Sequence, residues 1–572
     1  MLRDFTCDQL NHDHIGKKVR LSGWIQKTRN LGQLLFVDLR DKHGITQLNF
    51  SNYKLPINMA DLSLESVIGV EGIVFGRPLE AQNPKMQTGM IEIMVNTLEI
   101  YSTAKIPPFL PCSTVMATED LRLRYRYLDL RSTRLQDMLK IRSDLMMKVR
   151  TFFHAKNFIE VETPVLYKST PEGARDFLVP SRLHKGQVYA LPQSPQILKQ
   201  LLMIGGTDRY FQICKCFRDE AFRSDRQPEF TQIDLEMSFV EESDLKKLIT
   251  ELIKIVFSRP EDFSIPVMTY QQAMDDYGCD KPDVRFDLKH LTITKLIQQW
   301  DFPKLKEFPL VKAIFLPARI GTLTRKDLDA MKDIFWFKYE SRNFSGGVSK
   351  FIPDTTEQSQ FFSQFNEDGI WLLIASKSIS LTHQNADILR RDLANKFQLI
   401  KHDDYKFLWV TDFPLLDWDE EAKRFVAMHH PFTRPQQEDE SIFFGTDQDK
   451  EKIKQIKAIA YDLVCNGVEI GGGSLRIFHP KMQERMFELL GFSKEEQNYQ
   501  FGHFVTALEF GTPPHGGMAL GLDRIVMMLT GIDQIREVIA FPKSSSGVDL
   551  MSQAPSKPTE DQVNELHFRF LS

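Results

Sequence analysis

The stretch that decides the fold runs from Cys216-Phe217-Arg218-Asp219-Glu220, through a short loop, to Arg226-Gln227-Pro228-Glu229-Phe230-Thr231-Gln232-Ile233-Asp234. Strand-like runs at 209–217 and 229–239 flank the loop, which predicts two neighbouring strands with charged residues between them. On a strand, Arg218 and Glu220 would project to the same face because they are two residues apart. The chain contains neither a GxxxxGKS/T loop nor a strand-anchored GxGxxG, so common nucleotide-binding loops do not explain these charges.

Two further stretches accompany this one. Phe158-Ile159-Glu160-Val161-Glu162-Thr163-Pro164 follows a segment, 133–156, whose apolar spacing predicts a long helix. Gly516-Gly517-Met518-Ala519-Leu520-Gly521-Leu522-Asp523-Arg524 predicts a glycine-rich turn that enters a helix over 516–530. Near the N-terminus, about five short strands separated by turn residues predict a small closed barrel, and three prolines within 106–112 indicate a linker.

Composition and charge set the outer limits. The chain has 572 residues, 42% of them hydrophobic, which predicts three to five globular domains and excludes general disorder. No signal peptide and no apolar run of membrane-spanning length is visible, and six scattered cysteines predict free thiols in a reducing, cytoplasmic compartment. The net charge of −5 argues against non-specific nucleic-acid coating, but residues 17–42 and 122–150 carry local net charges of +5 and +6.

The three stretches, in this order, resemble motifs 1, 2 and 3 of class II aminoacyl-tRNA synthetases. Each alone would be weak, since a lone Arg–Asp–Glu run is more often a surface ion pair, but their joint order is specific. Four other segments are similar to the bacterial aspartyl-tRNA synthetases: Thr170–Asp176, Gln193–Gln200, His429–Thr433 and Glu469–Ile477. The resemblance covers nearly the whole chain and weakens over 286–410, where that family carries an inserted domain.

The resemblance implies a multidomain α+β fold with three parts: an OB-fold barrel, a class II core with an antiparallel sheet flanked by helices, and an inserted α/β (GAD-like) domain. The implied boundaries are 1–105 for the barrel, 106–132 for a hinge, 133–285 and 411–572 for the two halves of the core, and 286–410 for the insertion. The implied protein is a homodimer, with Pro164 at the dimer interface.

The implied activity is ligation of L-aspartate to tRNA(Asp), with ATP and Mg²⁺. Lys199 and Arg476 would bind the side-chain carboxylate of aspartate, and groups that only donate hydrogen bonds would reject an asparagine amide. The residues around the substrate ammonium would be Glu172, in a loop that closes over the amino acid, Ser194, Gln196 and Asp234. His429 would be a further contact in this pocket.

The ATP site follows from the same resemblance. Arg218, which also belongs to the aspartate site, would lie on the α-phosphate, and Glu220 would help hold ATP. Arg524 would cover the adenine on the face opposite Phe230. A guanidinium suits these roles because it stacks on aromatic rings and makes bidentate hydrogen bonds to phosphate. Arg218, Glu220 and Arg524 form the catalytic set. The remaining ATP-binding residues are Asp219, Gln227, Glu469, Gly521, Leu522 and Asp523. Asp462 and Glu469 would hold Mg²⁺, and their spacing of seven suits one helix face if that stretch is helical.

The barrel would read the anticodon. Phe36 is the expected stacking platform, and Arg29 and Gln47 are the expected base readers. Whether tRNA(Asn) is a second partner stays open: the loop Asn30-Leu31-Gly32-Gln33 is closer to the form found in relatives that discriminate against it. Two other functions remain. One is that of an asparaginyl enzyme. The other is that of an inactive anticodon-binding paralogue, but such a protein would not need to retain the phosphate-binding and metal-binding residues that this chain has.

Overall fold

The computed structural model describes residues 2–32, 34–53, 61–170, 173–331, 333–401, 404–445 and 449–569. The chain divides into two compact units. The first comprises Met1–Asp144, Phe222–Gln227 and Val526–Pro558, and the second comprises Leu145–Ala221, Pro228–Ile525 and Thr559–Ser572.

A closed five-stranded barrel, in the order β1-β2-β3-β5-β4, forms the N-terminal part of the first unit, as the sequence predicts. Its strands are β1 (Lys18–Asn30), β2 (Leu35–Arg40), β3 (Ile45–Asn49), β4 (Val67–Gly76) and β5 (Ile91–Ser102). Alternate residues such as Val19, Leu21 and Ile25 point into the core. Only glycine fits at position 23, where β1 lies against the end of β2, because a Cβ on Gly23 would lie 2.3 Å from the Arg40 carbonyl oxygen.

The segment after the barrel is fixed by buried ion pairs. It contains the short helices α1 (Glu119–Arg124) and α2 (Arg126–Asp129) and the start of α3 (Thr133–Ala155), which confirms the predicted long helix. Glu65, in the barrel, accepts from both Arg40, at 2.9 Å, and Arg131, at 2.8 Å. The barrel and the segment that follows it are therefore joined by a carboxylate that two guanidinium groups share.

An eight-stranded sheet dominates the second unit, in the order β11-β17-β20-β21-β22-β10-β9-β6. Its strands are β6 (Ile159–Glu160), β9 (Arg209–Phe217), β10 (Glu229–Ser238), β11 (Val267–Thr269), β17 (Phe407–Thr411), β20 (Ala460–Cys465), β21 (Val468–Leu475) and β22 (His515–Gly521). All neighbouring pairs are antiparallel except the two outermost, β11 with β17 and β6 with β9. The largely antiparallel sheet that the resemblance implies for the core is thus present.

Two small ribbons and the helices of this unit complete the core. The ribbons pair β7 (Leu178–Pro180) with β8 (Val188–Ala190), and β18 (Leu416–Asp419) with β19 (Arg424–Ala427). The helices are α4 (Gln196–Ile204), α5 (Glu242–Val256), α6 (Tyr270–Tyr277), α12 (Glu440–Phe443), α13 (Lys450–Ile453), α14 (Pro480–Leu489), α15 (Lys494–Leu508), α16 (Leu522–Thr530), which continues into the first unit, and α17 (Glu560–Glu565).

The prediction of a glycine-rich turn at the start of 516–530 was wrong. Gly516 and Gly517 lie within β22, and the helix begins only at Leu522. Glycine is required there for space: a Cβ on Gly517 would lie 1.9 Å from Glu236 Oε2. Because Gly517 has no side chain, β22 leaves room there for a carboxylate of the neighbouring strand β10.

Residues 286–400 contain a separate five-stranded antiparallel sheet, in the order β12-β13-β16-β14-β15. Its strands are β12 (His290–Thr292), β13 (Val311–Pro317), β14 (Ile334–Glu340), β15 (Asn343–Ser345) and β16 (Gly369–Ala375). Its helices are α7 (Thr294–Ile297), α8 (Pro303–Lys306), α9 (Arg325–Ala330), α10 (Thr356–Ser363) and α11 (Ile379–Lys396). Two hydrophobic clusters, one on each face, pack the sheet against α7, α8 and α10 and against α9 and α11.

All six cysteines are free, as the sequence predicts. Cys214 and Cys216 lie on one face of β9 with their sulfurs 3.9 Å apart. Among the described residues, no helix is long and apolar enough to span a membrane.

Candidate active site and nucleic-acid interface

A cavity of about 300 Å³ in the second unit brings together nine of the predicted site residues. The predicted residues that line it are Ser194, Gln196, Lys199, Arg218, Asp234, His429, Asp462, Glu469 and Arg476. The other aspartate-site residue, Glu172, lies outside the described residues.

The central strands of the sheet form the floor of this cavity. Asp234 on β10 pairs in register with Ala519 on β22, which pairs with Gly472 on β21. Gln196 and Lys199 come from the first turn of α4, and Arg476 follows directly after β21. Side chains distant in sequence therefore meet above adjacent strands.

Two buried carboxylates hold the two buried cations. Arg476 donates to Glu236 through Nε, at 2.8 Å, and through Nη2, at 3.1 Å, which is a bidentate pair. The Lys199 ammonium donates to Asp234 Oδ1 and lies 3.3 Å from Glu236 Oε2. The pocket is thus not a set of donors alone, as the sequence argument assumed. The four charged groups cancel one another, which makes their burial tolerable.

The two acids differ in their electrostatic environment. Burial raises the pKa of the Asp234 carboxyl, against the opposing effect of Lys199. Burial acts in the same direction on Glu236, but Arg476 beside it holds the pKa of that carboxyl below its usual value. Glu236 is therefore the permanent counter-ion of Arg476.

Three buried polar atoms of residues that line the cavity have no hydrogen-bond partner among the described residues. They are Nε2 of Gln196, a donor, Oδ2 of Asp234, an acceptor, and Nδ1 of His429. Buried polar groups in proteins are nearly always satisfied, so an unpaired donor and an unpaired acceptor on one cavity wall indicate a polar ligand. An amino acid, which carries both an ammonium and carboxylate groups, matches this pair.

The sequence analysis named His429 but missed its neighbour. The Nε2 atom of His430 lies 2.6 Å from Arg476 Nη1 and must be unprotonated to accept its hydrogen bond. Burial, reinforced by Arg476, lowers the pKa of His430 well below its usual value, so the imidazole is neutral. Glu236 was missed as well, although its position two residues after Asp234 on one strand places both on the same face.

Asp462 and Glu469 do not share a helix face: that prediction was wrong. They lie on β20 and β21, which form a hairpin with its turn at Asn466–Gly467. A Cβ on Gly472 would lie 2.6 Å from Asp462 Oδ1 and 3.6 Å from Glu469 Oε1, so the two carboxylates converge over that glycine. His429 Nε2 is 3.1 Å from Asp462 Oδ1.

This carboxylate pair fits a hard divalent cation that takes its other ligands from substrate and water. Within the described part of the chain, no group of three or more His, Cys, Asp or Glu side chains is placed to hold a metal alone. Two oxygen-donating side chains next to a phosphate are typical of Mg²⁺ in nucleotide sites.

Arg218 and Glu220 lie beyond the strand, since β9 ends at Phe217, so the prediction that both share a strand face was wrong. The Arg218 guanidinium instead covers the Phe230 ring, 5.2 Å from its centroid. Asp219 lies in the same loop, where its backbone N–H donates to the Arg175 carbonyl at 3.0 Å.

The motif 3 residues are placed by the junction of β22 and α16. Gly521 ends the strand, Leu522 begins the helix, and Asp523 Oδ2 accepts from the Thr231 N–H at 2.8 Å. Arg524 Nη1 donates to the Glu469 carbonyl at 2.7 Å. Gln227 lies in the first unit, where its side-chain amide donates to and accepts from the Lys543 backbone.

On the barrel, the three residues predicted to bind the anticodon share one face of β1, β2 and β3. Arg29 and Phe36 are register partners, and Arg29 Nη2 donates to Gln47 Oε1 at 2.7 Å and to Asp38 Oδ1 at 2.9 Å. Phe36 is half-buried and belongs to this outer face, whereas Val37 and Leu39 fill the core.

The fold and the site define a class of protein, and the comparisons identify it. Residues 118–545 match the family model of class II tRNA synthetases (D, K and N), and residues 19–101 match that of OB-fold nucleic acid binding domains of the tRNA anticodon type. The chain therefore belongs to the class II aminoacyl-tRNA synthetases, which are ATP-dependent ligases.

Relatives of this chain show which family within the class it belongs to. Aspartate–tRNA ligase of Listeria monocytogenes (serotype 4b, strain F2365) is 44% identical, covering 98% of this chain and 97% of that protein. The ligase of Geobacillus kaustophilus is also 44% identical, covering 99% and 98%. Within the class, the chain is a member of the aspartate–tRNA ligase family.

Solved structures share the fold. Asparaginyl-tRNA synthetase from Pyrococcus horikoshii, complexed with asparaginyl-adenylate, superposes with a TM-score of 0.60 at 18% identity, covering 95% of this chain and 99% of that chain. Aspartyl-tRNA synthetase from Entamoeba histolytica gives 0.57 at 18% identity, covering 95% and 91%.

Proposed function

We propose that this chain activates L-aspartate with MgATP, releasing pyrophosphate and forming aspartyl-adenylate, and then transfers the aspartyl group to the 3′-hydroxyl of the terminal adenosine of tRNA(Asp), releasing AMP. The observation that carries the proposal is the buried Lys199–Asp234–Glu236–Arg476 cluster beside the unpaired Gln196 and Asp234 atoms. No protein nucleophile is needed, because the α-carboxylate of aspartate attacks the α-phosphate.

Each group of the cluster has a role in binding aspartate. The substrate ammonium donates to Asp234 Oδ2, next to Ser194 and Gln196, and the side-chain carboxylate accepts from Lys199 and Arg476. Glu236 and His430 fix the plane of the Arg476 guanidinium. The guanidinium N–H group that donates to the substrate carboxylate is therefore held in place before substrate arrives. An asparagine amide would turn an N–H donor towards these donors, an arrangement that sites of this kind reject strongly.

The phosphate chemistry belongs to residues of motifs 2 and 3 and to the Asp462–Glu469 pair. Arg218 and Arg524 align and neutralise the triphosphate, Glu220 helps hold it, and Phe230 receives the adenine. Asp462 and Glu469 would hold Mg²⁺, which would supply further charge neutralisation at the phosphates.

The test is ATP–pyrophosphate exchange with aspartate and with asparagine. We expect exchange that depends on aspartate and is at least about 10⁴-fold weaker, per unit concentration, with asparagine. Faster exchange with asparagine would assign the chain to the asparaginyl reaction, and folded protein that exchanges with neither amino acid would leave only a tRNA-binding role.

A variant of Phe36 tests whether the barrel surface binds the anticodon. We expect Phe36→Ala to weaken binding of a tRNA(Asp) transcript by about 1–3 kcal/mol, because it removes the stacking platform for an unstacked base. Filter binding at fixed salt measures this, with Phe510→Ala, which removes an aromatic ring that is 77% exposed on the second unit, as the control. Equal affinity of the two variants would show that Phe36 does not stack on the anticodon.

The same surface decides the tRNA partner. Charging of transcripts that carry GUC and GUU anticodons compares tRNA(Asp) with tRNA(Asn). In the loop before Phe36, the structure describes Asn30, Leu31 and Gly32, whereas Gln33 lies outside the described residues.

We further propose a cytoplasmic homodimer. The free thiols are suited to a reducing compartment. Motif 1 and the two residues after it expose the apolar residues Ile159, Pro164, Val165 and Leu166, which association of two copies would cover.

A further inference from the structure

The segment that joins α6 to β12, residues 278–289, brings one more cation into the cavity wall. Lys281 Nζ lies 3.0 Å from Glu469 Oε2 and 3.5 Å from Asp280 Oδ2. Both Asp280 and Lys281 line the cavity. None of the roles proposed above uses this lysine.

The backbone around Lys281 is held from two sides. On one side it packs against the β20–β21 turn, since a Cβ on Gly467 would lie 3.1 Å from Asp283 Cβ. On the other side Arg390 of α11, fully buried, donates through Nη2 to the carbonyls of Asp283 and Phe286, at 2.8 Å each, and through Nε to that of Leu288 at 2.9 Å. The position of the lysine is therefore built into the fold.

The ammonium lies where the carboxylate pair requires positive charge. Asp462 and Glu469 converge over Gly472, and two carboxylates at short range repel each other unless a cation lies nearby. Lys281 supplies such a cation at Glu469, while His429 lies beside Asp462. Lys281 pairs with Glu469 Oε2, whereas the oxygen that converges with Asp462 Oδ1 over Gly472 is Oε1, so a divalent ion on the pair would lie close to the ammonium charge.

We propose that Lys281 is a resident counter-cation, a positioning residue that keeps the Asp462–Glu469 pair together before substrate binds and whose positive charge opposes the binding of a divalent cation to that pair. The inference rests on the proposed function, in which this pair holds Mg²⁺. It adds an electrostatic competition that the motifs do not show: the Lys281 ammonium and a metal ion would both be attracted to the negative charge of one carboxylate pair.

The test measures metal binding rather than activity. Mn²⁺ alone, without nucleotide, is titrated into the full-length chain and free Mn²⁺ is followed by electron paramagnetic resonance. We expect Lys281→Met to bind Mn²⁺ about twofold to fivefold more tightly than the unsubstituted chain, because the competing ammonium is gone. Lys281→Arg, which keeps the charge, should restore the original affinity, and Lys281→Gln serves if the Met variant does not fold.

Two controls define the outcome. Lys289→Met removes a lysine of the same segment that pairs with Asp276 at 3.1 Å outside the cavity, and should leave Mn²⁺ binding unchanged. Glu469→Gln should abolish the gain produced by Lys281→Met. Unchanged or weaker binding by Lys281→Met would overturn the proposal, as would a chain that binds no Mn²⁺ in any version. The latter result would also reject the metal role of the pair, whereas loss of aspartate-dependent exchange alone would reject only the proposed activity.

Discussion

Arg218→Ala is expected to slow aspartate-dependent ATP–pyrophosphate exchange by about 10²–10³-fold, the usual effect of removing one preorganised donor that stabilises transition-state charge. Arg218 lines the cavity, and its guanidinium covers the Phe230 ring at 5.2 Å from the centroid. The side chain is only half-buried, so its removal should leave thermal stability nearly unchanged. Exchange kinetics at saturating ATP and a thermal melt together measure both effects.

Lys215→Ala is the matched control for this variant. Lys215 lies on the same strand, β9, but its ammonium faces solvent and pairs with Glu229 at 3.6 Å, away from the cavity. Exchange by this control should stay within about twofold of the original, as exposed pairs contribute little. If Arg218→Ala retained comparable exchange, the assignment of this arginine to the α-phosphate would be wrong.

Arg476→Met is expected to cause the second large loss, and it affects both folding and function. Without its guanidinium, Glu236 becomes a fully buried carboxylate with only Lys199, shared with Asp234, as a cationic partner. Breaking a buried ion pair from one side costs about 3–5 kcal/mol of stability. Urea unfolding would measure this loss, and exchange assays would measure the loss of aspartate use.

The double variant Glu236→Met with Arg476→Met separates the two effects. Replacing both partners removes the uncompensated charge, so stability should recover much of the loss, while Lys199 keeps Asp234 as its partner. Aspartate-dependent exchange should stay lost, because the donor to the substrate carboxylate is absent in both variants. Recovery of exchange along with stability would mean that Arg476 acts only as a structural counter-ion.

Local patterns were enough to predict much of this protein. Alternating apolar residues predicted the barrel strands, the spacing over 133–156 predicted α3, and two adjacent runs predicted β9 and β10. The resemblance carried by the three motifs identified residues that the structure gathers in one cavity. Such signals work because they depend on side-chain periodicity and on short-range chemistry, which a sequence shows directly.

Other positions could not be derived from local patterns. Asp462 and Glu469 are close because a hairpin brings two strands together, not because of a helical repeat. His430 and Lys281 acquire their contacts from Arg476 and Glu469, residues far away in the sequence. A hydrogen bond across the sheet depends on strand order and register, and neither is encoded by the spacing of residues within one segment.

The sequence by itself determined the class of protein, the barrel and the core, and the residues that carry charge to the site. Only the tertiary structure decided how those charges are balanced. It showed that Glu236 and Asp234 neutralise Arg476 and Lys199, and that Lys281 already occupies one carboxylate of the proposed metal pair. The physical reason is that the energy of a buried charge depends on every charge within a few ångströms of it, and those neighbours come from strands and loops that only folding brings together.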